Sequence, residues 1–446
     1  YEIVNETIKA SGSVTSQVIV YEIYGFEGKT LPYSLTIIDT PGYGDTRGIE
    51  KDAVVAHKLY DLFRSEEGIH TVDAVGLVMK ASDNRLSDRL MYILNSALAL
   101  FGKDIEKNLV ALITHSDGME PKVALKALQD ANIKLAKNER NQPVHFAFNN
   151  CLSTKITEDN ELGLKQAWAV TERGMKRFQT FLEQTPPQRL EKTVLVLDKQ
   201  IRLAACINNL EDKIDLNKKK QKEIEETLEG LKKHEKELET GENFTLKVNV
   251  PYKAKEDIDG GILFSMFGGA VTCSVCEENC HYPGCTLALS PKYCEVMKNG
   301  RCTVCTNKCP ADKHVKEKKK YVNKTKTVTK TSEELKKQCE DNKNFGEKLV
   351  KKHQEEKRNL ETEINTLLEE VYTHVLNLEK NALSGGGLFC HVNIDIVVRE
   401  LKERKDTEKV QKLEEIIGNI DKGVWAALRY ARGKICDNIP NPFKKK

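Results

Sequence analysis

The chain has 446 residues, 31% of them charged and 39% hydrophobic, a composition that suits a helix-rich globular protein of about three domains and argues against a membrane-embedded or disordered one. Its 70 basic and 67 acidic residues leave a formal net charge of +3, which gives no reason to expect nucleic acid or an anionic membrane as an obligatory partner. No signal peptide is visible, and the longest charge-free stretch, Gly260 to Cys276, is too short and too rich in Gly, Ser and Thr to span a bilayer.

Residues 1–183 alternate short apolar, β-branched runs (18–23, 33–38, 74–79, 109–114 and 144–148) with helical stretches. That alternation predicts an α/β sheet covered on both faces. Thr185-Pro186-Pro187 stops the last helix, because proline lacks the amide donor and clashes with the preceding turn. Residues 189–245 then read as a coiled-coil helix, with Ile224, Leu228, Leu231 and Leu238 on one stripe. A cysteine-rich module covers 268–315. A second coiled-coil helix covers 316–383, its stripe running through Leu360, Ile364, Leu367, Val371, His374 or Val375, and Leu378. The basic run 313–326 reads as its solvated start. The two helices either fold back as an antiparallel hairpin with the cysteine module at its tip, or extend independently. Gly385, Gly386 and Gly387 open a hinge before a small helical tail, 388–446.

Eight of the 13 cysteines fall between Cys273 and Cys309, and the other five are scattered singly, as thiols in a reducing compartment would be, so a cytoplasmic location is expected. The cluster holds a near-repeat: Cys273-x2-Cys276-x3-Cys280-x4-Cys285 is followed 29 positions later by Cys302-x2-Cys305-x3-Cys309-x4-His314. Each half offers the four ligands of a closed tetrahedral Zn²⁺ site and begins with the two-residue spacing that sets two sulfurs on one ion. Two structural zinc ions are expected, each half binding its own or the halves interleaving. Cys294 and His281 are left over, and either could replace a chosen ligand. Nucleic-acid binding is disfavoured, since Tyr282 and Tyr293 are the only aromatics within the cluster.

The strongest nucleotide signal is Leu35-Thr36-Ile37-Ile38-Asp39-Thr40-Pro41-Gly42, a strand ending in Asp-Thr-Pro-Gly. An aspartate at such a strand end can hold Mg²⁺, and the glycine lets the backbone approach a γ-phosphate. A second apolar run, Leu109 to Thr114, leads into His115-Ser116-Asp117, where the aspartate can accept two hydrogen bonds from a guanine edge. A third, Val144 to Phe148, leads to Asn149 and Asn150. In this order the features resemble the G domain of the immunity-associated, avirulence-induced type of GTPase, kin to septins and chloroplast import GTPases, over about residues 1–183. The resemblance implies a P-loop NTPase-like α/β G domain, GTP or GDP with Mg²⁺ as cofactor, slow hydrolysis and homo-oligomerisation through the G domain or coiled coil. It places nucleotide contacts at Asp39, Gly42, His115, Asp117 and Asn149, with Thr15 completing the Mg²⁺ shell and Thr7 and Ser16 competing for that role; family members usually carry Lys where His115 stands.

The phosphate loop G-x-x-x-x-G-K-[ST] is absent from the sequence. Gly28-Lys29-Thr30 cannot replace it, because Ile23 stands where the first glycine is required, and the tripeptide reads as a hairpin turn between two strands. Two explanations stay open: the loop precedes Tyr1 in a longer protein, which the missing initiator methionine favours, or the domain is a degenerate one. Either way, negligible GTP affinity is expected of these 446 residues alone. The competing function is a non-enzymatic coiled-coil and zinc scaffold.

Overall fold

The structure, a computed structural model, describes residues 18–25, 33–41, 50–83, 87–151, 155–240, 242–258, 269–282, 290–337, 345–384, 388–419 and 424. The protein is mixed α/β with one helix of 43 residues and a cysteine cluster. Its contacts define two units: Tyr1–Gln200 with Leu376–Asp395 and Val410–Lys446, and Ile201–Val375 with Ile396–Lys409.

In the first unit, β1 (Ile19–Ile23) pairs antiparallel with β2 (Leu35–Asp39), Ile19 lying opposite Asp39. Gly28-Lys29-Thr30, within the connection, lies outside the described residues. After α1 (Glu50–Arg64), β3 (Thr71–Val72) and β4 (Val75–Lys80) come α2 (Asp88–Ala99), β5 (Leu109–Thr114), α3 (Lys122–Asp130), β6 (His145–Ala147) and α4 (Glu161–Gln184). Strands β4, β5 and β6 form a parallel sheet in that order, because the helices between them supply the crossovers parallel pairing needs. The central strand, Leu-Val-Ala-Leu-Ile-Thr, has no polar residue before its last, and Leu109, Val110, Ala111 and Ile113 are fully buried. Helix α4 closes on β6: Phe146 meets Phe178 and Phe181 at centroid distances of 5.1 and 5.7 Å, and a Cβ added at Gly174 would lie 2.1 Å from the Ala147 carbonyl oxygen. A short β7 (Gln188–Arg189) pairs with β3. The single sheet expected from the sequence is thus three separate ones among the described residues, since no described strand bonds β2 to β4.

In the second unit the long helix α5 (Glu191–Lys233), from Ile201 onward, runs antiparallel to α8 (Phe345–Asn381), as far as Val375. Three polar rungs fix the direction: the Cys206 thiol points to Glu370 Oε2 at 3.7 Å, and Lys213 and Lys220 donate to Glu363 and Glu356 at 2.6 and 3.1 Å. The residues on each helix are seven apart, so they share one face, and Leu360, Ile364, Leu367, Val371, Val375 and Leu378 of α8 are buried. This is the antiparallel alternative, and independent extended helices are ruled out. His374 is only half-buried, and Leu228 is exposed rather than part of the stripe.

Two expectations for this region are corrected. Helix 189–245 stops earlier: α5 ends at Lys233, α6 (Glu235–Thr240) follows, and Thr245–Asp257 is strand β8. Likewise 316–383 is not helical throughout, because Lys319–Thr331 is β14, paired with β8 along 13 residues from Lys319 opposite Asp257 to Thr331 opposite Thr245. The basic run 313–326 therefore lies largely in a strand, where the β-branched Val322, Thr325, Thr327, Val328, Thr329 and Thr331 are at home. Helix α7 (Ser332–Lys337) then leads to α8.

This ribbon determines where the cysteines go. It leaves the end of α5 through a cluster of Leu231, Phe244, Leu246, Val248, Leu335 and Leu349, with Leu246 packed so closely on Gly230 that a Cβ there would meet its Cδ1 at 2.1 Å. It then runs back along α5. Glu226 accepts from the Asn249 amide and side chain at 2.8 and 3.1 Å, Lys219 donates to the Asn323 carbonyl at 3.0 Å, and Asn323 Nδ2 donates to the Asp212 carbonyl at 2.7 Å. The cysteine module thus sits against the middle of the helix pair and not at its tip. Two further helices, α9 (Leu388–Glu403) and α10 (Thr407–Gly418), follow, and Arg404, just past the end of α9, donates to Asn365 of α8 at 2.8 Å.

Candidate metal centre

The two cysteine half-repeats fold differently. Cys273 ends β9 (Ala270–Cys273) and Cys280 lies in β10 (Glu278–His281), while β13 (His314–Glu317) pairs with the other edge of β9, His314 opposite Cys273. The sheet order β10-β9-β13 brings Cys280, Cys273 and His314 onto adjacent strands. The Cys273-x2-Cys276 turn closes on its own sulfur: the Cys276 amide donates to Cys273 Sγ at 3.4 Å, and Glu277 turns the chain with φ 53°, a left-handed conformation uncommon for a residue with a Cβ. In the second half, β11 (Met297–Lys298) and β12 (Arg301–Cys302) form a hairpin turned by Asn299 and Gly300, both at positive φ as a type I′ turn requires. The amides of Val304 and Cys305 donate to Cys302 Sγ at 3.3 and 3.4 Å, and the Cys309 amide donates to Cys305 Sγ at 3.2 Å.

These turns gather the donors into two groups of four: Cys273, Cys276, Cys305 and Cys309, and Cys280, Cys302, Cys305 and His314, the ligand atoms of each group lying within 4.8 Å of one another. The halves interleave. Cys276 Sγ and Cys309 Sγ are 3.7 Å apart. A tetrahedron with zinc–sulfur bonds of about 2.3 Å has edges of about 3.8 Å. His314 Nδ1 donates to the Pro310 carbonyl at 2.9 Å, which leaves Nε2 as the bare nitrogen, and Nε2 is buried with no hydrogen-bond partner among the described residues. A metal-binding imidazole is held in this way, its other nitrogen tied to a backbone carbonyl. Burial pushes the Cys273 thiol up to about 11 and that of Cys276 higher still, whereas a hydrogen bond from Cys280 pulls Cys302 down to about 3 and holds the shared proton on Cys280. Buried thiols so close together ionise fully only when a cation compensates them. These residues can therefore bind a metal ion such as zinc.

The module is fastened to both long helices. Glu278, between Cys276 and Cys280, accepts from Lys213 Nζ at 2.7 Å, Thr306 Oγ1 at 2.5 Å, the Thr306 amide at 2.9 Å and Asn209 Nδ2 at 3.0 Å. Burial raises the Glu278 pKa, but Lys213 and these donors outweigh it, so the carboxyl lies below its ordinary value. Lys308 bonds the Thr303 carbonyl at 2.7 Å and Glu370 Oε1 of α8 at 2.8 Å. Glu278, Lys213 and Lys308 do not stand out in the sequence as functional; the signal for Lys213 is its position seven residues from both Cys206 and Lys220. Of the leftover pair, His281 Nδ1 lies 3.2 Å from both Cys294 Sγ and Glu295 Oε2, all three buried and in neither group of four. Cys285 lies outside the described residues.

The nucleotide candidates are partly assembled. Strands β5 and β6 are parallel, and their carboxyl ends bring the Asp117 and Asn149 loops together: Asn149 Nδ2 donates to the Ser116 carbonyl and the Ser116 amide to the Phe148 carbonyl, each at 3.0 Å. His115 takes φ 54° and is exposed, and Asp117, also exposed, accepts the Met119 amide at 2.9 Å through Oδ1. Asp39 ends β2, which belongs to a different sheet from β5, the strand that leads to Asp117. Thr15 and Gly42 lie outside the described residues. No protein-family model matches the chain, and no curated protein matches it either. No helix among the described residues is long and apolar enough to cross a membrane.

Proposed function

We propose that the chain is a zinc-stapled helical scaffold, in which a structural metal module clamps α5 against α8 and presents the pair to partners in a reducing compartment. The observation that carries this reading is the convergence of seven cysteine and histidine donors on two groups of four, with His314 Nε2 bare and buried. When bound, zinc supplies the cohesion that so small a module cannot obtain from apolar burial. The chain's own residues do the rest. Cys273, Cys276, Cys280, Cys302, Cys305, Cys309 and His314 hold the metal, and Glu278 and Lys308 transmit the module's position to the helices. With no ligand position left for substrate, the role is structural. Metal analysis of the purified full chain tests this: zinc should co-purify, and a chelator should loosen the helix pair. Less than one zinc per chain overturns it.

A second reading has its own support, the joining of the Asp117 and Asn149 loops at the carboxyl ends of parallel strands, where α/β sheets bind ligands. On it the first unit is a G domain of the immunity-associated type, and nucleotide state, with Mg²⁺ at Asp39, governs self-association. Saturation-transfer NMR distinguishes the two: guanosine contacts that adenosine lacks, lost in Asp117→Ala, favour the second reading, and equal or absent contacts favour the inert scaffold.

A further inference from the structure

We infer that the two groups of four form one binuclear centre in which the Cys305 thiolate bridges both metal ions; this rests on the zinc reading above. Among the described residues, Cys305 Sγ is the only donor that belongs to both groups. Two tetrahedral ions need eight coordination positions, and the seven donors supply eight only if one of them serves twice. A thiolate can do so, since its sulfur keeps lone pairs for two metals, whereas the His314 imidazole offers a single nitrogen.

Charge points the same way. Six thiolates and a neutral imidazole carry six negative charges, so one divalent ion would leave four buried and a second leaves two. Backbone amides offset part of the rest, from Cys276 to Cys273, from Val304 and Cys305 to Cys302, and from Cys309 to Cys305 itself. The local geometry suits a shared sulfur: Cys305 closes the knuckle begun at Cys302 and lies four residues before Cys309, which belongs to the other group. A sulfur bonded to both ions would hold them roughly 3.5–4 Å apart, the usual spacing of two-metal sites. The alternative is that Cys285 supplies an eighth sulfur and Cys305 serves one ion.

The test titrates the full-length apo chain with Co²⁺, followed by electron paramagnetic resonance, and measures zinc content of the wild type, Cys285→Ser and Cys305→Ser. On the bridged arrangement the wild type binds two ions. The cobalt signal rises with the first equivalent and is lost as the second enters, because exchange through one sulfur couples the two spins. Cys285→Ser keeps both ions, and Cys305→Ser retains at most one. Two ions with additive, uncoupled signals, or loss of one ion in Cys285→Ser, overturn the bridge while leaving the zinc reading intact. A wild type that binds a single ion also overturns it, and one that binds none overturns both. The cobalt readout uses the unaltered protein, so it decides the question even if Cys305→Ser fails to fold.

Discussion

The parallel sheet β4-β5-β6 and the cysteine module each have a buried core, but the two cores are held by different forces. The sheet encloses Leu109, Val110, Ala111, Ile113 and Phe146, so its stability comes from apolar area removed from water. The module encloses Thr272, Glu278, Asn279, His281, Glu295 and His314 beside its cysteines, groups whose burial is unfavourable unless each finds a partner. The first region is held by apolar packing. The second is conditional on each buried group finding a partner, and its cysteines and His314 could take a metal ion as theirs.

Chelation should separate the two most sharply. Structural zinc supplies on the order of 10 kcal/mol in small modules, so removing it should abolish hydrogen-exchange protection in β9, β10 and β13 and leave β5 protected; equal loss in both regions breaks the distinction. Next in size are Lys213→Ala and Phe146→Ala, each expected to cost about 3–5 kcal/mol in denaturant unfolding, the first by stranding the buried Glu278 carboxylate and the second by opening a cavity. Only Lys213→Ala should also lower zinc retention, measured by competition with a chromophoric chelator. Gly174→Ala should cost about 1–3 kcal/mol, because its Cβ meets backbone and not a movable side chain.

The mildest contrast is with pH. At the Lys220–Glu356 rung, burial raises the Glu356 pKa but the Lys220 ammonium outweighs it, and the folded value falls below 4.5. A carboxyl with a depressed folded pKa stabilises the fold above its unfolded value and stops doing so as pH falls through the folded one. The helix pair should therefore loosen below about pH 4.5, while unfolding of the β5 sheet, whose core is apolar, should keep the same midpoint; circular dichroism with a reporter in each region reads both.

Leu109–Thr114 was legible in the sequence because a strand buried on both faces needs an unbroken apolar run, and that run is visible without knowing its neighbours. The metal donors were legible for a similar reason, since Cys-x2-Cys is a local geometric requirement. Their partnership was not. Whether Cys273 groups with Cys280 or with Cys305 is decided by contacts between the two half-repeats, such as that of Cys276 with Cys309, 33 residues apart. Strand β14 was hidden by its lysines, whose charge suggests a solvated helix although the alternating threonines and valines mark a ribbon. Glu278 carried no signal at all, because a buried carboxylate reads like any surface glutamate until its four donors are seen.

The seven-residue spacing of the polar rungs has one more consequence. Charge alone does not distinguish neighbouring heptads: slid by one repeat, Lys213 would face Glu370 and Lys220 would face Glu363, still opposite in sign. Such a slide covers about 10 Å along the helix axis. What tells the two alignments apart is the cysteine module, which grips α5 at Lys213 through Glu278 and α8 at Glu370 through Lys308. It acts as a detent, a catch that fixes where two otherwise sliding rails come to rest.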